Sequence, residues 1–278
     1  MRAPTASILL AFSLLLLACT APRPATSTVA HGDFSRALSQ QSVDAVIWQH
    51  ASAEARRMYE QCYELAHVKL DLNLLSLDAN DPRQPAVIVD VDETVLDNSQ
   101  HEAEAIAMGW TYDPARWKGW VKRQDCLALP GSLTFLTYAA ERGCAVFYIT
   151  NRAADEKRGT IENLRRLGFP YTDALHVVTQ ADSSDKPARR AVVSASYNVL
   201  LLVGDQLTDF DQRLADRTTD HGRATVAMMH DTLSRYFVLL PNPMYGVWRD
   251  AITGSGNAAT DSSKLARVRG FFNEYIER

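Results

Sequence analysis

The stretch VIVDVDETVLDN, residues 87–98, governs the reading of the whole chain. Val87, Ile88 and Val89 form a short β-branched run of the kind that fills a buried strand. Asp90, Asp92 and Glu93 follow at once. Carboxylates in such close company repel one another and resist leaving water. A strand that ends in them must end where their charge is useful. A hard divalent cation with oxygen ligands turns that repulsion into coordination.

Outward from this stretch, apolar runs alternate with amphipathic segments. Val43, Val46, Ile47, Ala51, Tyr59, Tyr63, Ala66 and Leu70 recur at threes and fours and predict helix over 42–77, in one piece or two. Strands are expected over 86–91, 145–149, about 175–178 and 199–203, and Val226 with Ala227 hints at a fifth. Further helices are expected from Pro130-Gly131 through Ala140, over 155–167, over 187–197 behind Pro187, and over 257–278. This alternation predicts an α/β fold, a parallel sheet with helices on both faces. Ligand sites in such folds lie at the carboxyl ends of the strands. Asp90 and Asp92 end the first expected strand, Thr150 the second and Asp205 the fourth. One polar strand end is ordinary; four residues so placed mark a site.

Magnesium suits a cluster of this kind, because it takes few carboxylates and shares its shell with water and phosphate oxygens. Phosphoryl transfer in turn needs positioning and charge neutralisation above all. Asp90 is placed to attack phosphorus, and Asp92, on the same strand face, to protonate the leaving oxygen and later activate water. Thr150, with Asn151, is placed to hold phosphate. Lys186, just ahead of Pro187, is the best-placed neutralising cation. Asp205 would hold the metal, with Asp209 one helical turn on as a support.

DVDET at 90–94, Thr150-Asn151, Lys186 and the GDxxxD of 204–209 resemble, in order, the four motifs of the haloacid dehalogenase superfamily. Within it, VIVDVDETVLDN and LVGDQLTDF are similar to the paired signatures of the class C bacterial acid phosphatases, the lipoprotein acid phosphatase and 5′-nucleotidase group. VIWQHASAEARRMYEQCY, WKGWVKRQDCLALPGSLTF, YITNRAADEKRGTIENLRRLGF and LPNPMYGVW carry the resemblance over roughly residues 42–250. It implies a Rossmann-like phosphatase domain over 42–278, with a small, mainly helical cap at about 98–128. It implies Asp90 as nucleophile and magnesium ligand, Asp92 as acid/base with its carbonyl on the metal, Thr150 and Lys186 on phosphate, and Asp205 and Asp209 on the metal. The implied activity is Mg2+-dependent hydrolysis of phosphomonoesters, nucleoside 5′-monophosphates among them, best at acid pH. The family usually carries Asn where this chain has Gln206.

The leaving group would meet aromatic residues. Trp117 and Trp120 are three apart in the cap segment and can share a helical face, and Tyr245 can stack on a base. Two readings stand for Arg152: a contact to substrate phosphate or ribose, or a surface salt bridge. His176 and His230 read as packing or surface residues.

At the amino end, Arg2, the apolar run Ile8–Ala18 and Cys19 resemble a signal sequence closed by a lipobox. This implies a signal peptide over 1–18, a lipid on Cys19, a flexible tether over 19–41, and a bacterial lipoprotein of the outer membrane or periplasm. Cys62, Cys126 and Cys144 remain, an odd number with no metal spacing. The net charge of −4 gives no basic surface for nucleic acid. Two alternatives pass through the same residues: phosphotransfer to an alcohol, and a non-catalytic surface relative that binds ligand. Intact Asp90 weighs against the second. A phosphonatase or dehalogenase fits less well, because Asp92 as proton donor suits an ester oxygen.

Overall fold

The computed structural model describes residues 31–180, 186–254 and 259–276. The signal sequence and Cys19 lie outside them. The helices α1 (His31–Gln40), α2 (Val43–Ala51) and α3 (Ala53–Leu75) lead into strand β1 (Pro85–Val89). The chain then runs through β2 (Leu96–Asp97), α4 (Ser99–Met108), α5 (Pro114–Arg123) and β3 (Leu127–Ala128). Next come α6 (Ser132–Glu141), β4 (Ala145–Ile149), α7 (Lys157–Arg166), β5 (Val177–Val178), α8 (Pro187–Ser196) and β6 (Asn198–Gly204). The chain continues through α9 (Arg223–Met228), α10 (His230–Tyr236), β7 (Phe237–Leu239), α11 (Val247–Thr253) and α12 (Asp261–Ile276).

The sheet order is β5-β4-β1-β6-β7, and every neighbouring pair is parallel. Every residue of β4 is buried, as expected where helices cover both faces. The central strand β1 has β4 on one side and β6 on the other, so the residues that follow these three strands meet at one edge. That edge is the switch point at which such sheets open a crevice.

The helical stretch 42–77 is two helices because Ser52 interrupts it. Ser52 adopts an extended backbone, and its hydroxyl accepts the Ala55 N–H at 2.9 Å, which starts α3 afresh. Tyr59, Tyr63, Ala66 and Leu70 then line one face of α3 against the sheet. Two of them reach the site's loops: the Tyr63 hydroxyl donates to the Thr94 carbonyl and that of Tyr59 to the Pro241 carbonyl.

Three expectations need correction. The stretch 31–40, read as tether, is helix α1. Its Ser35 hydroxyl donates to Asp261 at 2.5 Å on α12, and Gln40 to the Ile106 carbonyl on α4 at 3.1 Å. Val226 and Ala227 lie in α9, while the fifth strand is β7, which pairs Phe237 with Leu202 and Val238 with Val203. Two apolar residues carry no information about whether a sheet edge is near enough to pair. The first strand ends at Val89 rather than Val91. Glu93, at φ 55°, turns the chain sharply, so Asp90 and Asp92 reach the site through a bent loop and not through strand alternation.

Candidate active site

Asp90 follows β1, Asp205 follows the last residue of β6, and Asp209 closes the short 3₁₀ turn Leu207–Asp209. All three carboxylates are buried, and each offers an oxygen within 4.8 Å of the others. Gly204 makes this approach possible: a Cβ there would lie 2.3 Å from Asp209 Oδ2. Lys186, itself buried, bridges two of them, with Nζ on Asp90 Oδ1 and 2.7 Å from Asp209 Oδ1.

The electrostatics follow from this crowding. Burial, reinforced by Asp209, Asp205 and Asp92, pushes the Asp90 carboxyl well above its usual range, with Lys186 opposing. Burial and the neighbouring Asp209 push Asp205 up to about 6, against the donors Asn242 and Gln206. Burial alone would lower Lys186, yet Asp209 and Asp90 outweigh it and hold the ammonium protonated. Three buried carboxylates against one ammonium leave negative charge uncompensated. The donor set is all oxygen, and among the described residues Asp205 Oδ1 has no hydrogen-bond partner beyond the Thr94 hydroxyl at 3.5 Å. A hard divalent cation fits this arrangement.

Asp92 stands on the other side of the loop and is held separately. Arg152 donates to its Oδ1 through Nε at 3.0 Å and Nη2 at 2.8 Å, and Asn98 Nδ2 donates to the same oxygen at 3.0 Å. The Thr150 hydroxyl donates to Oδ2 at 3.3 Å and accepts the Arg152 N–H at 3.1 Å. Arg152 is 2% exposed, which corrects the reading of a surface salt bridge. Its guanidinium also lies 5.6 Å from the Trp117 ring centroid, a cation–π distance. Thr150 is fully buried, so its hydroxyl serves Asp92 from beneath the cleft.

A cleft of about 550 Å³ opens over these groups. Asp90, Asp92, Asn151, Arg152, Lys186, Asp205, Asp209, Trp117 and Tyr245 all line it, so sequence-predicted residues from six segments of the chain converge. Trp120 does not join them: it is buried in the core, with Nε1 donating to Asn98 Oδ1 at 2.8 Å. The cleft also takes Trp110 and Tyr112 from the connection between α4 and α5 and Arg249 from α11, which the sequence pattern did not single out. Asn98 and Asn242 were missed as well. Both sit inside quoted signature stretches, but an amide that supports a carboxylate has no sequence mark of its own. Cys62, Cys126 and Cys144 are all free thiols, and burial pushes Cys126 and Cys144 up to about 11, which leaves them unreactive.

The model of the HAD superfamily, subfamily IIIB (acid phosphatase), matches residues 9–248. The chain belongs to that subfamily. Its fold is close to that of the class C acid phosphatase from Bacillus anthracis, with a TM-score of 0.78 and 33% identity, over 84% of this chain and 97% of the other. A second solved structure, of the same bacillus enzyme with tungstate bound, matches over the same shares at 32% identity and TM-score 0.78. Acid phosphatase 1 of Solanum lycopersicum is 27% identical over 177 residues, which span 61% of this chain and 62% of the tomato protein. Among the described residues, no helix is long and apolar enough to cross a membrane.

Proposed function

We propose that this chain hydrolyses phosphomonoesters, nucleoside 5′-monophosphates among them, in a Mg2+-dependent reaction through a phosphorylated Asp90. The observation that carries the reading is the separate tethering of two carboxylates in one cleft. Asp90 stands among Lys186, Asp205 and Asp209, while Asp92 is clamped by Arg152, Asn98 and Thr150. The first environment suits a nucleophile facing an anionic phosphoryl group, the second an oriented acid/base.

Asp90, Asp205 and Asp209 would hold the cation, which when bound screens charge on the phosphoryl oxygens and on the carboxylates. In the first half-reaction a carboxylate oxygen of Asp90 bonds to phosphorus as the ester P–O bond breaks. The Asp92 carboxyl gives its proton to the departing alkoxide. In the second half, Asp92 takes a proton from water, the water oxygen bonds to phosphorus, and the bond to Asp90 breaks. Phosphate leaves and both carboxyls return to their starting forms. Lys186 stays protonated throughout and faces the transferring group. Bound tungstate in the bacillus relative is in line with this, since tungstate is a tetrahedral oxyanion like phosphate.

The leaving group would lie outward, toward Trp110, Tyr112, Trp117 and Tyr245. Flat bases gain roughly 1–3 kcal/mol per stacking contact, and the cleft volume lies within the range of small-ligand sites. We further propose that the protein is exported and anchored by a lipid on Cys19, on the resemblance of its amino end to a lipobox.

The test is phosphate release from a panel of 5′-nucleotides and simple alkyl phosphates, with Mg2+, with chelator, and in Asp90→Asn. Release that needs metal and vanishes in the variant is expected. Release that survives Asp90→Asn would overturn the nucleophile assignment. Transfer to added glycerol in place of water would turn the reading toward a phosphotransferase.

A further inference from the structure

Gln206 is joined to the proposed cation site on one side and to the leaving-group wall on the other. Its Nε2 donates to Asp205 Oδ2 at 2.8 Å and, more weakly, to the Tyr245 carbonyl at 3.4 Å. Its Oε1 accepts the Val247 N–H at 3.1 Å, and its own N–H donates to Asp209 Oδ2 at 2.9 Å. The side-chain amide therefore touches Asp205 and both neighbours of Gly246, and the backbone N–H of the same residue holds Asp209.

The fit around that amide is close. A Cβ at Gly246 would lie 2.3 Å from Gln206 Oε1 and 2.4 Å from Nε2, so the glutamine fills the space a side chain would need. Gly246 has φ 137°, a backbone setting that favours glycine independently. Asn242 runs alongside: its Nδ2 donates to the same Asp205 Oδ2 at 2.8 Å, and its Oδ1 accepts the N–H groups of Met244 and Tyr245 at 3.0 and 3.3 Å. Asp205 Oδ2 is thus taken by two amides, and Oδ1 is left toward the cluster.

We propose that Gln206 is a positioning residue through which cation binding at Asp205 sets the 242–247 loop, and with it the Tyr245 wall that receives the leaving group. The proposal rests on the cation reading above. A cation that fixes Asp205 fixes Oδ2, and a fixed Oδ2 holds the Gln206 amide in the one orientation that also serves Val247. With Asp205 free to turn, the amide loses its anchor and the loop loses a backbone partner. The glutamine side chain is long enough to make both contacts. An asparagine at this position would be one methylene short of spanning them without movement of the loop.

Amide hydrogen exchange on the intact protein tests this, with and without Mg2+, together with calorimetric Mg2+ titration. In the unsubstituted protein, Mg2+ is expected to slow exchange over 244–247 at least tenfold more than over the control helix 132–141. In Gln206→Leu, Mg2+ still binds, but the excess protection over 244–247 disappears. Should Gln206→Leu fail to fold, Gln206→Asn carries the same expectation. KM for a 5′-nucleotide should rise about tenfold in the variant while KM for glycerol phosphate moves little, a split that general loosening would not produce. Excess protection that persists in the variant overturns the coupling. Absence of calorimetric Mg2+ binding in the unsubstituted protein overturns the cation reading itself, which keeps the two failures distinct.

Discussion

Arg152→Met isolates what holds Asp92. The substitution keeps the unbranched stem of the side chain and removes the guanidinium. Arg152 has a side chain 1% exposed, and its partner Asp92 is 17% exposed. Burial alone would lower its pKa; the Asp92 carboxylate outweighs that and raises it, so the charge is retained because its partner is there. Breaking a buried pair on one side costs about 3–5 kcal/mol. Asp92 keeps its Asn98 and Thr150 donors and some water, which puts the expected loss at the low end, about 3 kcal/mol. For a domain of this size that is roughly 6–12 °C in Tm. Catalysis should suffer separately, because a misaligned acid/base forfeits on the order of 10²-fold or more in kcat. KM should change little, since Arg152 is engaged by Asp92 and not aimed at substrate. The assay is a double-mutant cycle with Asp92→Asn, read by calorimetric unfolding and steady-state kinetics. The double variant should be about 2 kcal/mol more stable than the sum of the singles, because it leaves no unpaired buried charge. Additivity within about 0.5 kcal/mol, or a rise in KM with kcat intact, would refute the positioning role and return Arg152 to a substrate contact.

Metal removal should invert the pH dependence of stability. The folded carboxyl of Asp205 is raised from 3.8 to about 6, so without metal the folded state binds more protons in that window. Its stabilising contribution is present below about pH 4 and is lost as pH rises through about 6. This amounts to about 3 kcal/mol at 1.36 kcal/mol per pH unit. Thermal unfolding in chelator should therefore show Tm falling from pH 4 to 7, and saturating Mg2+ should remove the fall; a rising Tm in chelator would contradict the charge arrangement. Gly204→Ala should drive Asp209 off the cluster, because the added Cβ would sit 2.3 Å from its Oδ2. Mg2+ affinity by calorimetry should drop at least tenfold, with a stability cost of about 1–3 kcal/mol from overpacking. Trp117→Ala should raise KM for 5′-nucleotides about tenfold and leave kcat for a small alkyl phosphate within about twofold, since a stacking contact is worth about 1–3 kcal/mol. Equal effects on both substrates would place Trp117 in the support of Arg152 instead.

Much of the fold and of the cluster was legible before any coordinates. Apolar runs of strand length, separated by helix-length amphipathic segments, leave few packings other than a parallel sheet with helices on both faces. In that fold, charged residues at the carboxyl ends of neighbouring strands meet, which is why the approach of Asp90 and Asp205 could be expected from chain position. Local rules also located Pro187 at the first turn of α8 and the strand over 145–149. These are statements about residues close in sequence, or about a topology with few alternatives.

What only the packed structure decided was the identity of partners far apart in sequence. That Arg152 clamps Asp92 across 60 positions, that Trp120 sinks into the core while Trp117 faces the cleft, and that β7 supplies the last strand where 226–227 does not, all depend on which surfaces come together. Helix α1 has only Phe34, Ala37 and Leu38 as an apolar face, and that α12 and α4 lie where they can receive it was not visible in the chain. Gln206 shows the limit most sharply. Its type and position were plain in the chain, but its reach from Asp205 to Val247 exists only because a loop some forty residues later folds back beside it. A hydrogen bond is set by distances of a few tenths of an ångström, and those distances are a property of the assembled fold.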